Sequence, residues 1–67
     1  MPSELDIYRS ASVMIQEHGV DAWFVAARRA DAWLEKGDLD GYNVWTAIAR
    51  AIQTIQETKL PPGESRH

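Results

Sequence analysis

Apolar side chains recur at intervals of three and four residues along most of the chain, and this spacing predicts three α-helices. We expect the helices over residues 3–18, 21–36 and 39–58. No stretch shows the sustained alternation of apolar and polar residues that marks a half-buried strand. The predicted fold is therefore all-α, a three-helix bundle whose short corners make consecutive helices antiparallel neighbours. The side chains expected to be buried are Tyr8, Ile15, Ala30, Leu34, Trp45, Ile48 and Ile52.

Each of the two predicted corners contains a glycine that is followed within two residues by an aspartate. Gly19 and Gly37 are expected to end the first two helices, since glycine readily adopts the left-handed conformation that follows a last helical turn. Asp21 and Asp38 are expected to cap the next helices, because a carboxylate accepts hydrogen bonds from the unpaired N–H groups of a first turn. Val20 would then fold back onto the last turn of the first helix.

The two ends of the chain and the start of the third helix carry further signals. Ser3 is a suitable N-cap for the first helix. Gly41 is expected in the first turn of the third helix, where a glycine costs least because the backbone hydrogen bonds are still incomplete. Two prolines and a glycine lie in residues 60–67. The sequence thus predicts one helical domain over residues 1–59 and a disordered tail over 60–67.

Size and composition restrict what this domain can be. A chain of 67 residues buries only about 60% of the surface that its unfolded form exposes, so a disulfide, a metal or a partner often reinforces such folds. The sequence has no cysteine, which excludes disulfides and thiolate sites and fits a cytoplasmic location. No apolar run approaches the roughly 20 residues that span a bilayer, and the N-terminus lacks a signal peptide. Of these ways to stabilise a small fold, a partner subunit is the one that the sequence leaves possible.

Charge argues against nucleic acid as a partner. Seven Lys and Arg residues against ten Asp and Glu residues give a formal net charge of −3, whereas nucleic-acid affinity depends on a basic surface. A small nucleic-acid-associated regulator that uses Arg28, Arg29 and Arg50 is the alternative hypothesis. Asp31 and Glu35 follow the first two arginines at short helical spacings, however, so ion pairs along one helix are the simpler interpretation.

Candidate catalytic and metal-binding residues are few. Glu17, His18 and Asp21 are close in sequence and are possible metal ligands, but the first helix is predicted to end between them. We interpret Asp21 as a cap and His18 as a residue at the negative end of the helix dipole. The sequence offers no Ser-His-acid set, no glycine-rich phosphate loop and no thiol. We therefore predict no enzymatic activity, no cofactor and no metal site.

The aromatic residues suggest self-association. Trp23, Trp33 and Trp45 are a large set for a small core, and the third helix carries apolar residues on more than one row. Apolar surface that a single chain leaves exposed usually marks a contact site, and a two-fold homodimer is the commonest soluble oligomer. The predicted interface consists of Trp33, Trp45, Ile48, Ile52 and Ile55.

The segment HGVDAWFVAARRADAWLEKGDLDGYNVWTAIARAI resembles small, uncharacterised helical proteins of alphaproteobacteria, a family without a known activity. The shared features are an HG-x-D/E-A corner, an A-A-x-R-A-D helix and a G-D-x-x-G-x-x-V/L-W start of the last helix. The resemblance implies a bacterial helical protein and assigns no site. The matching residues are His18, Gly19, Asp21, Ala22, Ala26, Ala27, Arg29, Ala30, Asp31, Gly37, Asp38, Gly41, Val44 and Trp45.

A weaker resemblance is to one tetratricopeptide unit, through its small, aromatic and turn positions at Ala30, Trp33, Gly37-Asp38 and Ala49. Tyr42 and Arg29 replace residues that are normally alanine and leucine in that motif. Repeat folds also need about three units for stability. The sequence as a whole predicts a non-enzymatic module that presents a helical surface to itself or to another protein.

Overall fold

The computed structural model describes residues 2–58, which form three α-helices joined by two short corners. The first helix, α1, is Glu4–His18, and a single 3-10 turn, Gly19–Asp21, leads directly into α2, Ala22–Glu35. The third helix, α3, is Leu39–Thr58. This part of the chain contains no strand, which confirms the all-α prediction. Lys59 and the predicted tail over 60–67 lie outside the described residues.

The third helix is the centre of the fold, since it packs against both α1 and α2, while α1 and α2 touch each other less. Its contact with α2 is the most extensive of the three. Small side chains line these contacts and let the helix axes approach closely. The core consists of Ile7, Ala11, Met14, Ala22, Ala26, Ile48, Ala49, Ala51 and Ile52.

The predicted burial is confirmed for Ala30, Ile48 and Ile52, while Ile15 and Trp45 are partly buried. It is wrong for two residues: 39% of Tyr8 and 45% of Leu34 are exposed. Two apolar rows run along α1, and the row of Ile7, Ala11 and Met14 faces the core instead of the row that contains Tyr8. At the end of α2, the indole of Trp33 takes the inward position against α3 and leaves Leu34 outside.

Two of the three predicted N-caps form the expected hydrogen bonds. The Ser3 hydroxyl accepts a hydrogen bond from the Asp6 backbone N–H at 3.2 Å. The Asp38 carboxylate accepts one from the Gly41 N–H at 2.9 Å. The prediction for Asp21 is wrong, because this residue makes no side-chain cap bond. Its φ of −88° and ψ of −1° are those of the 3-10 turn, whereas an N-cap residue has an extended backbone.

Both predicted stop glycines have positive φ angles, 58° at Gly19 and 79° at Gly37. The Gly19 N–H donates to the Ile15 carbonyl and closes α1. Its ψ of −126° differs from the left-handed helical value and sends the chain into the 3-10 turn. That turn carries Val20 outward with 91% of its surface exposed, so the prediction that Val20 folds back onto α1 is wrong.

Candidate interaction surface

An open apolar groove lies where the corner between α1 and α2 meets the last turns of α3. We call it the corner groove, and its volume is about 730 Å³. Residues from all three helices and from the 3-10 turn contribute to it. Its lining consists of Ile15, Gly19, Val20, Trp23, Gln53, Gln56 and Glu57.

A hydrogen bond between residues far apart in sequence fixes the two sides of the corner groove. The side-chain amide of Gln56 donates from Nε2 to the Gly19 carbonyl oxygen at 2.9 Å. This bond ties the end of α3 to the corner, and it is a second hydrogen bond to a carbonyl that also accepts the Ala22 backbone N–H of the 3-10 turn. On the same face of α3, Gln53 Nε2 donates to Glu57 Oε2 at 3.4 Å. The polar wall of the groove is thus an ordered row of side chains.

The opposite wall is apolar and faces solvent. Val20 is almost fully exposed, and Trp23 keeps 45% of its surface accessible. Phe24 follows directly and is more than half exposed, with its ring on the side of α2 away from the groove lining. Val20 in the 3-10 turn and Trp23 in the first turn of α2 are three residues apart and line the groove together. Such clustering of large exposed apolar residues is typical of contact sites.

The charged side chains at the corner groove are acidic. Glu57 is the charged residue in its lining, and Asp21 lies exposed beside Val20 in the 3-10 turn. Glu17 is one turn further back, with its Oε1 at 3.9 Å from His18 Nε2. Among the described residues that line the groove there is no lysine or arginine. Arg50 lines a neighbouring cavity, which also contains Asp31.

The predicted interface residues of α3 lie in the core of the single chain or packed against it. Ile48 and Ile52 are 4% and 0% exposed, so the chain's own helices cover them completely. Ile55 is partly buried against the same core. A partner therefore has no access to the central row of α3 while the three helices stay packed.

Two of the three tryptophans also have partners within the chain. The Trp33 ring lies against Gly41 and has the Lys36 ammonium 4.8 Å from its centroid. The Trp45 ring has the Arg29 guanidinium at 5.0 Å. Cations at such distances are attracted by the negative face of an indole. Trp23 is the tryptophan whose indole lines the corner groove.

The three arginines of the nucleic-acid hypothesis do not form one patch. Arg28 and Arg29 line a cavity beside Phe24, and Arg29 Nη1 also contacts Met14 Sδ at 3.7 Å. Arg50 lines two other cavities, together with Asp31 in one and Glu4 in the other. The basic side chains are thus divided between different faces and interleaved with carboxylates.

The described residues contain no cluster of three or more histidine, aspartate or glutamate side chains arranged to hold a metal ion. Within residues 2–58, no helix combines the length and hydropathy that crossing a bilayer requires. The corner groove itself combines an apolar wall with a polar, acidic rim.

Sequence reasoning missed the corner groove for a specific reason. The spacing of Val20 and Trp23 is visible in the sequence, but Trp23 continues the apolar row of α2 and the sequence predicts that Val20 folds back onto α1. The facing residues, Gln53 and Gln56, lie 30 or more positions after Val20 and Trp23, and nothing local links them to the corner. The chain matches no protein-family model, no curated protein and no solved structure.

Proposed function

We propose that this chain is a small, non-enzymatic protein-interaction module that presents the corner groove as its binding surface. The observation that carries the proposal is the position of Val20 and Trp23, which are large, apolar, exposed and adjacent to an open groove. A fold this small gains stability by burying every apolar side chain that it can reach. Val20 and Trp23 nevertheless stay exposed at the groove. Binding to a partner explains this exposure better than the stability of the fold does.

The size of the surface fits a modest affinity. Burying a valine or a comparable apolar side chain contributes about 1.5–3 kcal/mol, and a tryptophan at the centre of an interface is a frequent hot spot. One or two such anchors, after the cost of association, correspond to roughly micromolar binding. The Gln53 and Gln56 amides provide a polar rim that can orient a bound segment.

The compartment that we propose is the bacterial cytoplasm. The absence of cysteine from the sequence and the resemblance to small alphaproteobacterial helical proteins support it. A second copy of the chain is a candidate partner, as the sequence predicted, but the buried Ile48 and Ile52 leave Trp23 and Val20 as the accessible anchors. The divided arginines and the net charge of −3 give the nucleic-acid alternative little support.

Affinity isolation from the source cell tests the proposed function. The wild-type chain is compared with Val20→Ser, which alters an exposed side chain of the groove, and with Val13→Ser, which alters an exposed valine of α1 outside it. We expect a partner that is retained by wild type and by Val13→Ser and lost with Val20→Ser. Equal retention by all three chains would show that the corner groove is not the binding surface.

A gel shift with duplex DNA at low salt separates the two classes of function. We expect no shift at micromolar protein, because the surface lacks a concentrated basic patch. Salt-sensitive binding that is lost in Arg28→Ala or Arg50→Ala would instead establish the nucleic-acid regulator.

Sedimentation equilibrium tests whether a second copy of the chain is the partner. An apparent mass above 7.6 kDa that rises with protein concentration would indicate self-association.

A further inference from the structure

Building on the proposed function, we infer that the occupant of the corner groove is a cationic amphipathic helix of another protein. The groove offers an apolar wall of Ile15, Val20 and Trp23 opposite a polar wall on α3. A helix with one apolar face matches such a trough, because residues spaced by three and four positions enter the groove together.

Charge complementarity decides the sign of the partner. Glu57 lines the groove and Asp21 follows the lining residue Val20 in the 3-10 turn, while no basic residue of the described part of the chain lines it. Arg50 lies in the neighbouring cavity, which shares Trp23 and Gln53 with the groove and also contains Asp31. A bound helix keeps its polar face at this rim, where lysine or arginine is attracted and glutamate is repelled. The net charge of −3 acts in the same direction over longer distances and speeds the approach of a cationic partner.

The same charges argue against a second copy as the occupant. A two-fold dimer repeats each contact, so it would bring Glu57 and Asp21 of one copy to the same acidic rim of the other. Like charges placed together at an interface suppress association. The exposed apolar side chains at the groove are also few, whereas a specific interface usually covers about 800 Å² on each partner. A partner that supplies its own positive charge avoids the repulsion between like charges.

Two synthetic peptides of about 15 residues provide the probes, a length at which an amphipathic helix begins to be stable. Both carry leucines at positions i, i+3, i+4 and i+7, and the remaining positions are lysine in one peptide and glutamate in the other. Binding to the full-length, ¹⁵N-labelled chain is followed by NMR. The indole N–H signals distinguish the three tryptophans, and Trp23→Phe identifies the signal from the groove.

We expect the Leu/Lys peptide to shift the Trp23 indole signal and the Gly19 amide signal, and to leave the Trp33 indole unchanged. Val20→Ser should weaken this binding about tenfold, the factor that corresponds to burying one valine side chain. Glu57→Lys should weaken it about threefold at low salt and lose this effect at 1 M salt. Val13→Ser and Glu4→Lys are the matched controls outside the groove, and we expect both to bind like wild type.

Several results would overturn the inference. Equal binding of the Leu/Glu peptide would remove the charge argument, and equal weakening by Val13→Ser would move the site elsewhere. Concentration-dependent shifts of the Trp23 indole without peptide would identify a second copy as the occupant. A shift caused by Leu60→Ser alone would identify the chain's own C-terminal segment.

The two proposals fail separately. If neither peptide binds while affinity isolation still yields a partner that depends on Val20, the interaction module stands and the cationic helix is excluded. If the affinity isolation also yields no partner that depends on Val20, then both the proposed function and the cationic helix are excluded.

Discussion

The indole of Trp33 lies so close to Gly41 that a methyl group on this glycine would sit 2.7 Å from Cδ2 and 2.8 Å from Cγ of the ring. The glycine in the first turn of α3 is therefore a requirement of packing, and its backbone flexibility is secondary. The contact joins the last turn of α2 to the first turn of α3 directly across the Gly37 corner. It also explains why Trp33 faces inward while Leu34 is exposed.

Gly41→Ala should destabilise the protein although alanine is the better helix former. Helix propensity alone favours the substitution by about 1 kcal/mol. Displacing the Trp33 ring costs about 1–3 kcal/mol, as overpacking does elsewhere, so we expect a net loss in the free energy of unfolding. Urea denaturation measures this change in the free energy of unfolding. Asn43→Ala, at an exposed position of the same helix, is the control and should be neutral or slightly stabilising. Gly41→Ala behaving like Asn43→Ala would contradict the close contact.

The two corner aspartates should differ in their effect on stability. Asp38→Ala removes the hydrogen bond from the Gly41 N–H and should lower the free energy of unfolding by about 0.5–2 kcal/mol, the usual value of an N-cap. Asp38→Asn should retain most of this stabilisation, because an amide oxygen also accepts the capping hydrogen bond. Asp21→Ala should stay within about 0.5 kcal/mol of wild type, since Asp21 makes no cap bond. Urea titrations of the three variants decide whether this ranking holds.

Gly19 should respond to the handedness of an added methyl group. No atom lies within 4 Å of a Cβ at this position, so the cost of L-alanine comes from the backbone alone. With φ of 58° and ψ of −126°, we expect Gly19→Ala to lose about 1–3 kcal/mol. D-Alanine, introduced by chemical synthesis, has these angles in its preferred extended region and should stabilise by about 0.4–1 kcal/mol. Thermal unfolding of both synthetic chains provides the comparison, and equal melting temperatures would refute the assigned backbone.

The alanines of α2 should divide into two classes when they are enlarged. Ala26 is 0% exposed at the contact of the helices, whereas Ala32 faces solvent. Ala26→Leu should destabilise by about 1–3 kcal/mol or unfold the chain, because the added atoms have no space. Ala32→Leu should remain within about 0.5 kcal/mol of wild type, since leucine is nearly as good a helix former. Circular dichroism melts test the pair, and similar effects at both positions would mean that α2 is rotated about its axis.

Local signals in the sequence are sufficient to predict the three helices and most of their ends. α1 begins at Glu4 directly after its cap Ser3, and α2 begins at Ala22 and ends at Glu35, one residue inside the predicted range at each end. These signals act within one turn, through a side-chain cap or a glycine with positive φ, so they do not depend on the rest of the fold. The hypotheses on function, partner and compartment stay predictions.

Tertiary structure decided which apolar residues are covered and where a surface was left open. α1 has two apolar rows one position apart, and only the approach of α3 selects Ile7 over Tyr8. The inward position at the end of α2 goes to Trp33 because Gly41 makes space for it, and Gly41 belongs to another helix. The corner groove likewise depends on Gln56 reaching Gly19, 37 residues earlier in the chain. The sequence by itself determined where helices form, because those interactions are local, while the relative placement of the helices determined the core and the groove.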